Sequence, residues 1–69
     1  MLKEYRQRMK ISQEKLEAIT NIDRKTIFRI ENNINIPYLD TFAKLVIALN
    51  LSDKEIANEV KNCIKKNRV

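Results

Sequence analysis

The sequence contains no glycine, histidine or tryptophan, and it has a single proline and a single cysteine among 69 residues. Without histidine, and with Cys63 as the lone thiol, it offers no side-chain cluster typical of a metal site and no disulfide within one chain. Without glycine it has no glycine-rich loop for binding phosphates. Because a clustered carboxylate pair is also missing, we expect no enzymatic activity, no cofactor and no small-molecule substrate.

Long apolar segments are missing as well. No run approaches the roughly 20 residues that a membrane-spanning helix needs, and the first residues lack the apolar segment of a signal peptide. A lone cysteine fits a reducing compartment. We therefore expect a cytoplasmic protein with no membrane partner.

The charge and length of the chain point to two kinds of partner. The net charge is +5 at pH 7 and the isoelectric point is about 9.6, a balance that favours an anionic partner such as nucleic acid. A domain of this size buries only about 60% of its unfolded surface. Association with a second copy of the chain would therefore add stability.

Apolar residues recur at helical spacing and no segment alternates as a strand does, so the sequence predicts an all-α fold. Ser12, Asp23 and Ser52 are suited to cap helix N-termini, and Glu55 completes a capping box with Ser52. In the absence of glycine, asparagines such as Asn21 are expected to end helices. Five helices are predicted in one domain over residues 1–69, at about 2–10, 13–20, 24–32, 38–49 and 53–66.

The predicted fourth helix carries the widest apolar stripe in the chain. A stripe of this width is typical of a helix buried on more than one side, so we expect this helix at the centre of the core. Its apolar residues are Leu39, Phe42, Ala43, Val46 and Leu49, widened by Leu45 and Ile47.

The segment from Ser12 to Asn33 is predicted to form a short helix, a tight turn and a second short helix. At about 100° per residue, one side of the second helix is formed by Ile27, Ile30 and Glu31. The opposite side is long, cationic and able to form hydrogen bonds, and it carries Lys25, Arg29 and Asn32. A helix with these two sides suits the major groove of DNA, which is about 12 Å wide and admits one helix.

This segment resembles the helix-turn-helix of the Cro/cI-like (XRE-type) phage-repressor family of transcription regulators. The resemblance extends from Leu2 to about Ile56 and implies a five-helix, lambda-repressor-like DNA-binding domain. It implies a sequence-specific regulator of double-stranded DNA, a repressor that acts as a homodimer on a palindromic operator. The matching positions are Ser12, Gln13, Leu16, Ile22, Ile27, Ile30, Glu31, Pro37, Thr41, Leu45 and Leu49.

The resemblance also implies roles for individual residues. It assigns DNA contacts to Gln13, Arg24, Lys25 and Arg29, and it pairs Arg6 with Glu31 in a salt bridge that ties the first helix to the third. A carboxylate on the inner side of a helix needs such a partner. Phe28 stands where the family usually has a small or polar residue, and three roles stay open for it: contact with a thymine methyl group, cover for neighbouring side chains, or contact with a partner protein. The amides of Asn32 and Asn33 are also expected at the DNA surface.

Two further positions of the helix-turn-helix depart from the family pattern. Glu17 stands where the family prefers a small residue, so either its long carboxylate turns toward solvent or the angle between the two helices differs slightly. Asn21 stands in place of the usual glycine, and asparagine tolerates the left-handed backbone that this turn needs.

The fifth helix is predicted to carry an apolar stripe of Ile56, Val60, Cys63 and Ile64. The stripe runs further than a compact core should cover, so residues 53–69 are expected to provide a dimer interface. The alternative is that this helix packs back onto the first helix, which would make Cys63 a buried small hydrophobe.

Several functions remain open at this level. A chain of 69 residues suits a phage or mobile-element repressor, a controller protein of a restriction–modification system, or an antitoxin of the same fold. A regulatory protein partner is a further expectation. The alternative from another class is a protein-interaction module that has lost DNA binding, which the exposed Phe28 favours slightly.

Overall fold

The computed structural model describes residues 2–67, with the side chains of residues 2–63. Over that range the chain forms five helices and no strands, so the predicted fold class is confirmed. The helices are α1 (Lys3–Arg8), α2 (Gln13–Thr20), α3 (Arg24–Glu31), α4 (Leu39–Leu49) and α5 (Asp53–Asn67). None of these helices is both long enough and apolar enough to cross a membrane.

Asparagines end three of the helices, as the lack of glycine predicts. Asn21 ends α2 with φ 59°, Asn33 follows α3 with φ 60°, and Asn50 ends α4 with φ 54°. Among residues with a Cβ atom, asparagine adopts this left-handed backbone with the least strain, because its short polar side chain can form local hydrogen bonds. The chain therefore makes sharp helix endings without glycine.

The first helix is shorter than predicted. It ends at Arg8 rather than near Lys10, and Lys10 has a left-handed backbone with φ 58°. The N–H of Lys10 donates to the carbonyl of Gln7 at 2.9 Å, and the N–H of Ile11 donates to that of Arg6 at 3.4 Å. This turn directs the chain into α2. It also leaves Met9 41% exposed.

The core lies between α2, α3 and α4, with Leu2 from the start of the chain. Ile27 and Ile30 anchor α3 in it, and each is only 1% exposed. Their burial fixes which side of α3 faces outward. The buried cluster comprises Leu2, Leu16, Ile22, Ile27, Ile30, Leu45, Leu49 and Leu51.

The fourth helix is buried on one side only, which corrects the prediction of a central helix. Phe42, Leu45 and Leu49 face the core, whereas Leu39 and Ile47 are 84% and 79% exposed. The wide apolar stripe therefore comprises two faces. One packs into the core, and the other lies on the surface of the single chain.

The fifth helix packs onto α1 through polar contacts. The buried carboxylate of Glu59 accepts the backbone N–H of Leu2 at 3.0 Å and the amide of Asn62 at 2.9 Å. Arg8 donates to both oxygens of Glu55, at 2.6 and 3.2 Å, and its guanidinium lies 5.1 Å from the ring centre of Tyr5. These contacts hold the start of the chain against the core.

We predict that the Arg8–Glu55 pair makes stability dependent on pH in the acid range. The hydrogen bond from Arg8, and then that from the Ser52 backbone, lower the pKa of Glu55 from 4.5 to about 2. Because the folded-state pKa lies below the unfolded value, this stabilisation is present above pH 4.5 and is lost as the pH falls toward 2. In an NMR titration, Arg8→Ala should move the Glu55 pKa upward. An unchanged pKa would show that Arg8 is not its partner.

Candidate nucleic-acid interface

The turn between α2 and α3 is fixed by one buried hydroxyl and one buried apolar side chain. The hydroxyl of Thr20 donates to the carbonyl of Leu16 at 2.7 Å and accepts the N–H of Ile22 at 3.2 Å. Ile22 is itself 8% exposed and belongs to the core cluster. The angle between the two helices is therefore set by packing as well as by the left-handed Asn21.

The N-terminus of α3 is capped by a residue of α2. Asp23 occupies the N-cap position, but its side chain makes no capping hydrogen bond. Instead, the carboxylate of Glu17 accepts the backbone N–H of Arg24 at 2.8 Å. Glu17 is half-buried rather than turned wholly to solvent. The departure from a small residue at this position thus gives a direct link between the two helices.

We predict that Glu17→Ala lowers the free energy of unfolding by about 1 kcal/mol, the usual effect of losing a helix cap. The control is Asp23→Ala, which should leave Tm nearly unchanged because the Asp23 side chain accepts no capping hydrogen bond. Chemical denaturation of the two variants measures both effects. Equal losses, or a larger loss for Asp23→Ala, would contradict this assignment.

The outer face of α3 presents cations without acidic partners. Lys25 and Arg29 are exposed, and neither forms a salt bridge with any residue that the structure describes. Arg24 has only a distant contact, with 4.0 Å between its Nη1 and the Glu14 carboxylate, and both side chains are largely exposed. Contacts within the single chain therefore leave these charges accessible to an anionic ligand.

The structure brings most of the predicted DNA-contact residues together around one open groove of about 370 Å³. Phe28 and Ile34 are about half exposed there, at 50% and 59%, so the groove combines cations with apolar surface. Ile34 lies in the loop between α3 and α4. Its position beside Phe28 depends on how that loop folds back over α3. The lining residues are Gln13, Arg24, Lys25, Phe28, Arg29 and Ile34.

The predicted pair of Arg6 and Glu31 is present as a bidentate salt bridge. Arg6 Nε and Nη2 donate to the two Glu31 oxygens at 2.7 and 3.0 Å, and the side chains are 11% and 3% exposed. Arg6 Nη1 also donates to the carbonyl of Ile11 at 2.9 Å. The hydrogen bonds to Glu31 raise the pKa of Arg6. One guanidinium thus joins α1, the turn before α2, and α3.

Gln13 belongs to both the salt bridge and the groove. Its amide nitrogen donates to Glu31 Oε1 at 3.0 Å, while its side chain lines the groove beside α3. This contact holds the amide at the start of α2 in a fixed place. The resemblance identified Gln13 as a DNA contact but did not identify its bond to Glu31.

Asn32 and Asn33 have structural roles at the end of α3. The Asn32 amide donates to the Phe28 carbonyl at 2.8 Å, and the backbone N–H of Asn33 donates to the Ile30 carbonyl at 3.1 Å. Neither residue lines the groove described above. Both side chains are exposed, and their contact with DNA stays a prediction.

The residues predicted to form a dimer interface on α5 lie in different surroundings. Ile56 is half-buried and packs against the core of its own chain, whereas Val60 is 43% exposed. Burial, with a smaller effect of Glu59, raises the pKa of the half-buried Cys63 thiol, which disfavours the reactive thiolate. The side chain of Ile64 lies outside the described residues.

The protein has a helix-turn-helix that is held by buried contacts, and the second helix exposes a cationic face. It is a DNA-binding transcription regulator whose partner is double-stranded DNA. The chain belongs to the Cro/cI-like (XRE-type) helix-turn-helix family, whose model matches residues 2–56. No curated protein and no solved structure matches it.

Proposed function

We propose that the protein is a sequence-specific repressor that binds a palindromic operator as a homodimer, of the type used by phages and mobile elements. The observation that carries this proposal is the exposure of two cations on α3, Lys25 and Arg29, which form no salt bridge with the part of the chain that the structure describes. The buried side of the same helix is fixed by Ile27, Ile30 and the Arg6–Glu31 salt bridge. A helix that is fixed on its buried side and exposes its cations on the other can align side chains with base edges.

In this proposal α3 lies in the major groove. Arg29 contacts guanine O6 and N7 through two hydrogen bonds, and Lys25 contacts base edges one turn away. Arg24 and Gln13 lie at the side of the groove and contact phosphates, which position the protein without selecting sequence. Phe28 meets a thymine methyl group. The side-chain amides of Asn32 and Asn33 contact the DNA phosphates, because the loop after α3 contains no lysine or arginine.

The size of the chain is compatible with two copies on adjacent half-sites. Recognition helices of a dimer lie about 34 Å apart, one turn of the duplex. The described part of the chain measures 34 × 24 × 20 Å, so its longest dimension matches this separation. Repression follows from occupying the promoter and requires no catalytic step.

Selection from random duplex DNA tests the proposal. We expect enrichment of a motif with two-fold symmetry, whose half-sites are centred about 10 base pairs apart. Binding to it should weaken steeply with salt, because phosphate contacts release counterions. Failure to enrich any motif would overturn the proposal and favour a protein-interaction module, for which Phe28 and Ile34 offer exposed apolar surface.

A further inference from the structure

An apolar stripe on the outer side of α4 is the most exposed hydrophobic surface of the described chain. Leu39 and Ile47 are 84% and 79% exposed, and Tyr38, just before the helix, is 82% exposed. Ala43, also exposed, lies between Leu39 and Ile47 at steps of four residues, so the three share one side of the helix. The other exposed large hydrophobic side chains are 41–59% exposed.

The stripe has charged residues along one flank. Asp40 and Lys44 are exposed and one helical turn apart, yet they form no salt bridge with each other or with any other described residue. The Asp40 carboxylate accepts only the backbone N–H of Thr41, at 2.9 Å. The flank therefore carries one negative and one positive charge that have no ionic partner among the described residues. When two such helices pack antiparallel, each charge faces the opposite charge of the other copy.

We propose that this surface is where a second copy of the chain binds, with α4 packed antiparallel against α4 of its partner around a two-fold axis at Ala43. An isologous contact of this kind requires a self-complementary surface. Leu39 then lies opposite Ile47 of the other copy, and the small Ala43 allows the two helices to approach closely. Asp40 and Lys44 of opposite copies differ by about 3 Å along the helix axis, a gap that a lysine side chain spans.

The position of the stripe relative to the DNA-facing groove supports this partner. Ile34 lines that groove and also lines the adjoining groove that contains Tyr38 and Thr41. The start of α4 therefore borders the surface assigned to DNA. The stripe begins at Leu39, the first residue of α4, so one end of the dimer contact lies near this border.

The inference deepens the proposed function by naming the surface through which the homodimer forms. A single helix stripe is smaller than a standard interface of about 800 Å² per partner. We therefore expect a weak dimer in solution, with a micromolar Kd. Adjacent half-sites on DNA favour formation of the dimer, because a copy bound to one half-site raises the effective concentration for binding of a second copy beside it.

Sedimentation equilibrium of the full chain without DNA tests the interface. Ile47→Glu should raise the dimer Kd at least about tenfold, since a charge would be buried in the contact. Ile19→Glu is the matched control, because Ile19 is also an exposed helical isoleucine, at 50%, and should leave the dimer intact. A dimer equally stable in both variants, or a wild type monomeric at millimolar concentration, would overturn the inference. A dimer that is disrupted by Val60→Glu and not by Ile47→Glu would also overturn the inference, because the contact would then lie on α5.

A charge exchange tests the orientation without removing apolar surface. Asp40→Lys and Lys44→Asp should each weaken the dimer, and the double variant should restore it, because the cross-pairs then re-form with reversed signs. Absence of restoration would contradict the antiparallel arrangement.

Binding of one half-site duplex separates this inference from the proposed function. Ile47→Glu should bind a half-site like wild type, whereas wild type that binds no duplex would contradict DNA recognition itself.

Discussion

Arg6→Ala is expected to lower the free energy of unfolding by about 3–5 kcal/mol, the usual loss when one partner of a buried ion pair is removed. The variant removes the guanidinium that donates to both oxygens of Glu31, whose side chain is 3% exposed, while the Gln13 amide still donates to Glu31 Oε1. A chain of 69 residues has a total stability of only about 3–10 kcal/mol. We therefore expect Tm to fall by more than about 10 °C, as measured by circular dichroism.

Two controls separate the buried charge from general disruption of α1. Arg8→Ala removes an arginine from the same helix, but the Arg8 side chain is 49% exposed, so loss of its ion pair with Glu55 should lower Tm by much less than Arg6→Ala does. Replacing Arg6 and Glu31 together by methionine should be less destabilising than Arg6→Ala, since no buried carboxylate then lacks its cation. If Arg6→Ala were as stable as Arg8→Ala, the salt bridge would not be what holds α3 to α1.

Lys25→Ala and Arg29→Ala are each expected to raise the Kd for the operator about 10- to 100-fold, equivalent to about 1–3 kcal/mol for a base contact. Both side chains are exposed and form no salt bridge within the described residues, so Tm should not change. Fluorescence anisotropy with a labelled duplex at fixed salt measures the effect.

The matched control for these variants is Lys61→Ala. It removes the same charge from an exposed position on α5 and should change Kd by less than about threefold, the part of binding that depends on net charge alone. A loss equal to that of Lys25→Ala would mean that the assigned residues contribute only to a diffuse attraction.

The sequence predicts the fold well because its strongest signals are local. Caps, asparagine turns and the spacing of Ile27 and Ile30 each act within one or two helical turns, and they define five helices and the outward side of α3. The Arg6–Glu31 pair spans 25 residues. It was nevertheless predictable, because a carboxylate on the inner side of a helix requires a partner and the family resemblance identifies it.

Features that depend on tertiary contact were not predictable in the same way. Asp23 has the right residue type for an N-cap, but whether Glu17 reaches Arg24 instead depends on the angle between α2 and α3. Ile34 joins the groove only because the loop folds back. On α4, core and surface residues are equally apolar, and hydrophobic spacing cannot distinguish the side that faces the core from the side that faces solvent.

The central claim is that the cationic face of α3 contacts base edges, and specificity tests it more directly than affinity does. The measurement is the ratio of Kd for random duplex to Kd for the selected operator, for wild type and for the double variant Lys25→Ala and Arg29→Ala. We predict a wild-type ratio of about 10³ or more and a fall of at least about 100-fold in the double variant. If both affinities fell together and the ratio stayed the same, Lys25 and Arg29 would contact phosphates alone, and the claim would be wrong.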